Sequence, residues 1–77
     1  MTLKIISAED ILFEGEVALV TLPGTMGSFT VLHNHASLIS TLTSGIVAYE
    51  HDGVQSSVEI EGGIVDVDNN IVSVCIY

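Results

Sequence analysis

Short apolar runs rich in Val, Ile and Thr recur along this chain about every ten residues, and turn residues separate them. Within several runs, most clearly 64–68 and 71–77, apolar and polar residues alternate. The spacing of an amphipathic helix is absent. Alternation turns one face of a strand towards a core and the other towards water. The pattern therefore predicts an all-β fold, with two sheets packed face to face.

The turn residues divide the chain into predicted strands. Asp52-Gly53 and Asn69-Asn70 predict tight hairpin turns, because these residue types adopt positive φ readily. Gly62-Gly63 predicts a bend or a bulge. Glu14-Gly15 is expected to close a short apolar segment at 11–13. The predicted strands cover residues 3–7, 16–22, 28–32, 38–42, 46–50, 54–61, 64–68 and 71–77.

Composition limits the domain organisation and the setting. A chain of 77 residues predicts one domain, 1–77, with a small core. No apolar run approaches the roughly 20 residues that span a bilayer, so the protein is expected to be soluble or peripheral. Cys75 is the single cysteine and cannot form an intramolecular disulfide. With no signal-peptide pattern at the start, these features favour a reducing, intracellular setting.

The charge balance indicates which partners to expect. The chain contains ten acidic residues and one basic residue, Lys4, so its formal net charge is −9. Nucleic acid and anionic lipid are poor partners, because binding phosphate requires many Lys and Arg side chains. A basic or apolar partner surface fits better. The alternative is that the acidity only keeps a small β protein soluble and monomeric.

The sequence gives little support for a catalytic or metal-binding site. Nucleophilic catalysis lacks a G-x-S-x-G turn, and Cys75 within an alternating strand is expected to be a quiet, semi-buried thiol. His33 and His35 could share a metal if they lay on one strand, but two ligands do not make a site and nothing places His51 beside them. Hydrogen bonding within a loop is the favoured interpretation of this pair.

Two further patterns fail in the same way. The glycines of Gly24–Ser28 lack the Lys and the following helix of a phosphate-binding loop. Glu59, Glu61, Asp66 and Asp68 do not have the spacing of a calcium loop, and a solvated sheet face explains them. We therefore expect no catalytic residue, no cofactor and no metal.

The stretch from Val20 to Leu42 carries almost no charge, which is unusual in so acidic a chain. A domain this small cannot hide all of its apolar side chains deeply. Contact with another protein is the function that these residues favour. The apolar residues concerned are Phe29, Val31, Leu32, Leu38, Ile39 and Leu42.

The residue order of this stretch resembles the N-terminal β-sandwich domain of the epsilon subunit of F-type ATP synthases. The matching pattern is VTLPGT at 20–25, followed by Gly27, Phe29, 31–32, 35–36, 38–39, Leu42 and Gly45. The first strand at 3–7, the turn at 13–17 and the closing segment at 60–67 resemble the same family, as do Asn70 and 72–74. The likeness therefore covers nearly the whole chain.

The resemblance implies a flattened sandwich of about ten short, mainly antiparallel strands. It also implies a non-catalytic subunit of the central stalk, which binds the gamma subunit, sits on the ring of c subunits and helps couple proton flow to ATP synthesis. The complex would lie at the cytoplasmic face of a bacterial inner membrane, while the isolated chain would be monomeric. Two loops at one end of the sandwich would face the ring, through Gly24, Thr25, Met26, Gly27, Ser28, His33, Asn34, His35, Ala36 and Ser37.

The sequence departs from the family in three places. Relatives usually read LPGHAPL where this chain reads LHNHASL at 32–38, and the loss of two prolines and a glycine predicts a less rigid loop. Ser28 replaces a residue that is often acidic. The helical hairpin that follows in most relatives is not expected here, nor is its inhibitory or nucleotide-binding role. The alternative function is a free-standing β-sandwich adaptor for an unrelated protein.

Overall fold

The computed structural model describes residues 1–77, and every regular element in it is a strand. The nine strands are short, which agrees with the expectation of about ten. The fold contains no helix that could cross a membrane. The strands are β1 (Thr2–Ile6), β2 (Ile11–Glu16), β3 (Leu19–Gly24), β4 (Gly27–Leu32), β5 (Leu38–Leu42), β6 (Gly45–His51), β7 (Val54–Ile60), β8 (Gly63–Asp68) and β9 (Ile71–Ile76).

Hydrogen bonds join the strands in the order β2-β1-β9-β8-β5-β3-β6-β7, and β4 pairs with β3. All pairs are antiparallel except β1 with β9, which is parallel. β3 and β5 share one pair, Gly24 with Leu42. The sheet is curled, and the fold is the predicted β-sandwich.

The core lies between the two layers and contains only hydrophobic side chains among its buried residues. Alternation supplies them: Val65 and Val67 of β8 and Val72 and Val74 of β9 are buried, whereas Asp66 and Asp68 face water. Fully burying one such side chain stabilises the fold by about 1.5–3 kcal/mol. The alternation predicted for this hairpin is confirmed.

Both predicted hairpin turns are present. Asp52 and Gly53 have φ of 52° and 76°, and Asn69 and Asn70 have φ of 51° and 64°. Two consecutive positive φ values are typical of the type I′ turn, whose twist matches that of the flanking strands. These turns fix the register of the second half of the chain.

The first half differs from its prediction in two neighbouring elements, the segment at 11–13 and the strand at 16–22. Glu14 and Gly15 do not close a segment at 11–13 but continue β2 to Glu16, because they pair with Lys4 and Leu3 of β1. The predicted strand at 16–22 is therefore wrong at its start. Val17 and Ala18 lie between the two strands, and their amides donate to Met1 O and Glu50 O. β3 begins at Leu19.

Candidate functional site

The first candidate segment is the tip of the β3–β4 hairpin. Gly24 and Gly27 pair across it, and only Thr25 and Met26 form the turn. A Cβ at Gly24 would lie 2.6 Å from Gly27 O and 2.9 Å from the Phe29 ring, so the tip closes this tightly only with glycine there. Met26 is 98 % exposed. The tip therefore presents an apolar side chain to the surroundings with no charge beside it.

The tip is braced against the rest of the fold. The Thr25 amide donates to Thr41 O at 3.1 Å, and the two threonine hydroxyls lie 2.8 Å apart. The Thr43 amide donates to Pro23 O at 2.8 Å. These contacts join the tip to the end of β5, so its position is set by two strands rather than by the turn alone.

The second candidate segment is the loop from His33 to Ser37, which connects β4 to β5. Asn34 has a φ of 60°. Its amide donates to Asn70 Oδ1 at 2.9 Å, and Asn70 Nδ2 lies 3.2 Å from His33 Nδ1. The Ser37 hydroxyl donates to Asp68 Oδ1 at 2.8 Å. The loop is thus held through side chains of the β8–β9 hairpin.

These two segments lie at opposite ends of the same strands. The tip joins β4 at Gly27, and the loop leaves it at Leu32, five residues and about 17 Å further on. β5 likewise places Leu42 beside the tip and Leu38 beside the loop. The expectation that both segments share one end of the sandwich is therefore wrong. The family resemblance implied a shared end, but β4 carries the chain across the domain between the two segments.

His33 and His35 do not lie on a strand, so the expected placement of both rings on one side of a strand, which a shared metal would need, is wrong. His33 and His35 flank the Asn34 turn, and His35 Nδ1 lies 2.7 Å from Ala36 O. His51 Nδ1 contacts Glu16 O at the end of β2. No group of three His, Cys, Asp or Glu side chains has the arrangement of a metal site. Each ring instead has a hydrogen-bond partner, which is adjacent in sequence for His35 and distant for His33 and His51.

Cys75 is exposed, which corrects the expectation of a semi-buried thiol. It lies in β9 between Ile64 of β8 and Ile6 of β1. Neither neighbour could act as a base or orient one. The position has no catalytic surroundings.

Sequence reasoning missed an apolar row on the outer face of one layer. Thr41, Ile64, Cys75, Ile6 and Ile11 are successive partners across five strands. Ile64 and Ile11 are 49 % and 59 % exposed. One signal was available: Ile64 occupies the water-facing phase of the alternation that places Asp66 and Asp68 outside. The row itself depends on register between distant strands.

The six apolar residues of the uncharged stretch divide between core and surface. Val31 and Leu42 are buried, and Phe29 and Leu38 pack against the core from partly buried positions. Leu32 and Ile39 are 56 % and 75 % exposed. The expectation that the domain could not hide all six is confirmed, and the exposed pair flanks the His33–Ser37 loop.

One carboxyl group has a distinctly shifted pKa. Glu16 accepts from the Thr2 hydroxyl at 2.7 Å and from the N-terminal ammonium of Met1 at 3.1 Å. These hydrogen bonds, together with the charge of the ammonium group, lower the pKa of Glu16 from its usual 4.5. The group ties β1 to β2 at the end of the sandwich that carries the His33–Ser37 loop.

A family model described as the ATP synthase delta/epsilon chain β-sandwich domain matches residues 1–76. Among curated relatives, an ATP synthase epsilon chain of Leptospira borgpetersenii is 36% identical over 74 residues. One of Campylobacter fetus is 41% identical over 75 residues. Each alignment covers 96% of this chain and 58% of the relative, so the chain spans little more than half the length of these proteins.

Two solved assemblies contain a similar fold. A chain in the Euglena gracilis mitochondrial ATP synthase, in a structure of OSCP, F1 and the c-ring, superposes with a TM-score of 0.89 at 25% identity. That match covers 96% of this chain and 48% of the other. A chain in the Tetrahymena thermophila central stalk and c-ring gives 0.81 at 14% identity, covering 97% and 61%, and shows likeness of fold alone.

Proposed function

Because this chain belongs to the family of ATP synthase delta/epsilon chain β-sandwich domains, we propose that it serves as the sandwich domain of an epsilon-type subunit. In this role it binds the gamma subunit, sits on the c-ring and helps couple rotation to ATP synthesis, without an active site of its own. The complex is a proton-translocating F-type ATP synthase at the cytoplasmic face of a bacterial inner membrane.

The observation that carries this proposal is the extent of the family match. It runs from residue 1 to residue 76, and so includes every strand of the sandwich. The curated relatives named above are bacterial, which supports the bacterial setting. The residues matched by the family model are the same residues that form the nine strands, so we treat residues 1–77 as one domain.

Geometry supports one end of the sandwich as the ring-facing end. The hairpin tip Gly24–Ser28 is braced by Thr41 and ends in the exposed Met26 side chain. A rigid, uncharged tip loses little conformational entropy on docking, since its backbone is already ordered. We therefore restrict the proposed ring contact to Gly24–Ser28.

The loop from His33 to Ser37 faces the other end, and we assign it to the gamma side of the stalk. It lies about 17 Å from the tip along β4, at the opposite end of that strand. The exposed side chains of Leu32 and Ile39 flank this loop and offer apolar area for such a contact. The net charge of −9 favours a basic partner surface at the loop end, whereas the uncharged tip with its exposed Met26 side chain favours an apolar one.

The test is binding of the purified chain to recombinant gamma subunit and, separately, to detergent-solubilised c-ring. Met26→Glu places a charge on the tip, where it contacts nothing within the domain. We expect it to weaken ring binding by at least about tenfold and to leave gamma binding within about twofold. Measurements at low and moderate salt separate specific docking from charge attraction alone.

Val54→Glu is the matched control. Val54 is 61 % exposed and pairs with His51 at the β6–β7 turn, at the loop end of the sandwich, away from the tip. The same charge there should leave ring binding unchanged. If the unmodified chain fails to bind gamma at either salt concentration, the proposal is wrong. If Val54→Glu and Met26→Glu weaken ring binding equally, the assignment of the tip is wrong.

The adaptor alternative predicts a different result in the same assay. A free-standing adaptor would bind neither gamma nor the ring. No separate observation favours it, since the family match accounts for the whole sandwich.

A further inference from the structure

Nδ1 of each histidine ring makes a hydrogen bond, and the three rings differ in whether this nitrogen donates or accepts. His35 Nδ1 faces the carbonyl oxygen of Ala36, and His51 Nδ1 faces that of Glu16. A carbonyl oxygen only accepts, so both nitrogens must carry a proton. These contacts persist whether the ring is neutral or charged. His33 Nδ1 instead faces Asn70 Nδ2 at 3.2 Å.

The orientation of the Asn70 amide decides the role of His33. The Asn34 backbone amide donates to one side of the Asn70 side chain at 2.9 Å, and only an oxygen can accept there. The opposite side of the amide is then the NH₂ group, which donates to His33. His33 Nδ1 must therefore accept, which requires a neutral ring with its proton on Nε2.

We propose that Asn70 and His33 form a pH-sensitive latch on the loop from His33 to Ser37. While the His33 ring is neutral, Asn70 holds the loop from two sides, through the Asn34 amide and through the imidazole. Protonation puts N–H groups face to face at Nδ1 and Nδ2, so the imidazole contact breaks and the Asn70 side chain is repelled. The loop then keeps Ser37 as its side-chain anchor, through the bond to Asp68.

Other charged groups at this end of the sandwich could also change their ionisation with pH and affect the loop. Glu16 of β2, with the Met1 ammonium bound to it, lies close enough to His33 for their charges to interact. Asp68 ends β8, Asp52 lies 3.4 Å from His51 Nε2, and His35 lies on the loop itself. Carboxylates are ordinarily ionised throughout pH 5 to 8. Histidine is the side-chain type that ordinarily changes charge within that range, and of the three histidine contacts only that of His33 requires the neutral form.

The latch is tested on the whole chain by NMR hydrogen exchange at the Asn34 amide, corrected for the intrinsic pH dependence of exchange. Between about pH 8 and pH 5 we expect protection of this amide to fall roughly 2- to 10-fold, the effect of losing one hydrogen bond. The fall should follow the titration of the His33 ring, read from its own ring proton shifts.

Three variants isolate the cause. His33→Gln removes the titrating ring, and protection should become independent of pH. His35→Gln is the matched control on the same loop and should retain the fall. Asn70→Asp should reverse the sign, because a carboxylate accepts from both the Asn34 amide and the protonated His33 ring. Asp tolerates the left-handed backbone of this position, where φ is 64°.

The proposal is overturned if protection is flat with pH in the unmodified chain, if the fall survives His33→Gln, or if Asn70→Asp keeps the original sign. None of these measurements involves ATP synthase, so the latch can fail while the proposed function stands. A consequence for stalk assembly does rest on the proposed function: a loop that contacts gamma would change its order as pH falls.

Discussion

The rings of Phe13 and Tyr49 lie with their centroids 4.4 Å apart and their planes inclined by 40°. Phe13 belongs to β2 and Tyr49 to β6, which lie near opposite ends of the strand order. The His51 ring makes an edge contact with the Phe13 ring, and their centroids are 5.4 Å apart. This aromatic cluster joins β2 to β6, two strands that do not pair with each other.

Phe13→Ala should therefore destabilise the domain by about 2–3 kcal/mol, since it removes the ring that packs against Tyr49 across the layers. Urea unfolding monitored by far-ultraviolet circular dichroism measures the change. Ile11→Ala is the control in the same strand, because Ile11 is 59 % exposed, and it should cost less than about 0.5 kcal/mol. Equal effects of the two substitutions would contradict the interlayer role of Phe13.

Gly63→Ala should prevent stable folding or cost at least about 3 kcal/mol. A Cβ at Gly63 would overlap the carbonyl oxygen of Cys75 and lie 3.0 Å from Ile76 Cα, so the clash is with backbone that cannot rotate away. Gly53→Ala is matched to it, because Gly53 also has positive φ, 76°, but no atom within 4 Å of the added carbon. It should cost only about 1–2 kcal/mol. Thermal unfolding distinguishes crowding from backbone strain.

The lowered pKa of Glu16 predicts an acid-sensitive contribution to stability. A carboxyl group whose pKa is lower in the folded than in the unfolded chain stabilises the fold above its unfolded pKa of about 4.5. That contribution is lost as pH falls through the folded pKa. Glu16→Gln should therefore lower Tm near neutral pH and make Tm fall less steeply below about pH 4.5.

Two comparisons sharpen this measurement. Glu14→Gln alters a carboxylate in the same strand that lies 3.9 Å from Lys4 Nζ, and it should leave the pH dependence closer to that of the unmodified chain. Added salt should reduce the Glu16 effect, because the side chain is exposed and its interaction with the Met1 ammonium is screened. A pH profile of Glu16→Gln that parallels that of the unmodified chain would contradict the prediction.

Thr41→Val should loosen the β3–β4 tip without unfolding the domain. The substitution removes the 2.8 Å contact between the Thr25 and Thr41 hydroxyls but keeps the Thr25 amide bond to the Thr41 carbonyl. We expect a stability loss of about 1 kcal/mol or less and faster motion of the Met26 amide in ¹⁵N relaxation. Thr30→Val breaks a similar 3.0 Å hydroxyl contact, with Thr21, and should leave Met26 unaffected.

Local sequence signals predicted the second half of the chain well. Asp52-Gly53 and Asn69-Asn70 specify their own turns through backbone preference, and the alternation around Val65 and Val74 identifies the core face. These are properties of neighbouring residues. They do not depend on where the rest of the chain goes.

The first half shows where such signals end. Glu14-Gly15 was expected to end the apolar segment at 11–13, yet Gly15 lies within β2 because it pairs with Leu3 of β1. The candidate tip and loop were placed at one end by the family resemblance, but the pairing of β4 with β3 and of β5 with β8 puts them at opposite ends of these strands. The Asn70–His33 contact spans 37 positions and has no local signature. Register between distant strands decides all three.

The parallel pairing of β1 with β9 bears on how this domain folds during synthesis. Leu3 and Ile5 are fully buried, and they lie opposite Val72 and Val74, some 69 residues later in the register. Within this domain β1 is synthesised before the other strands, and its second edge is covered only when β9, the last of the nine, pairs with it. Such long-range closure is slow, and the exposed edge of β1 is open to wrong pairing in the interval. The domain should thus complete its fold only after β9 has emerged.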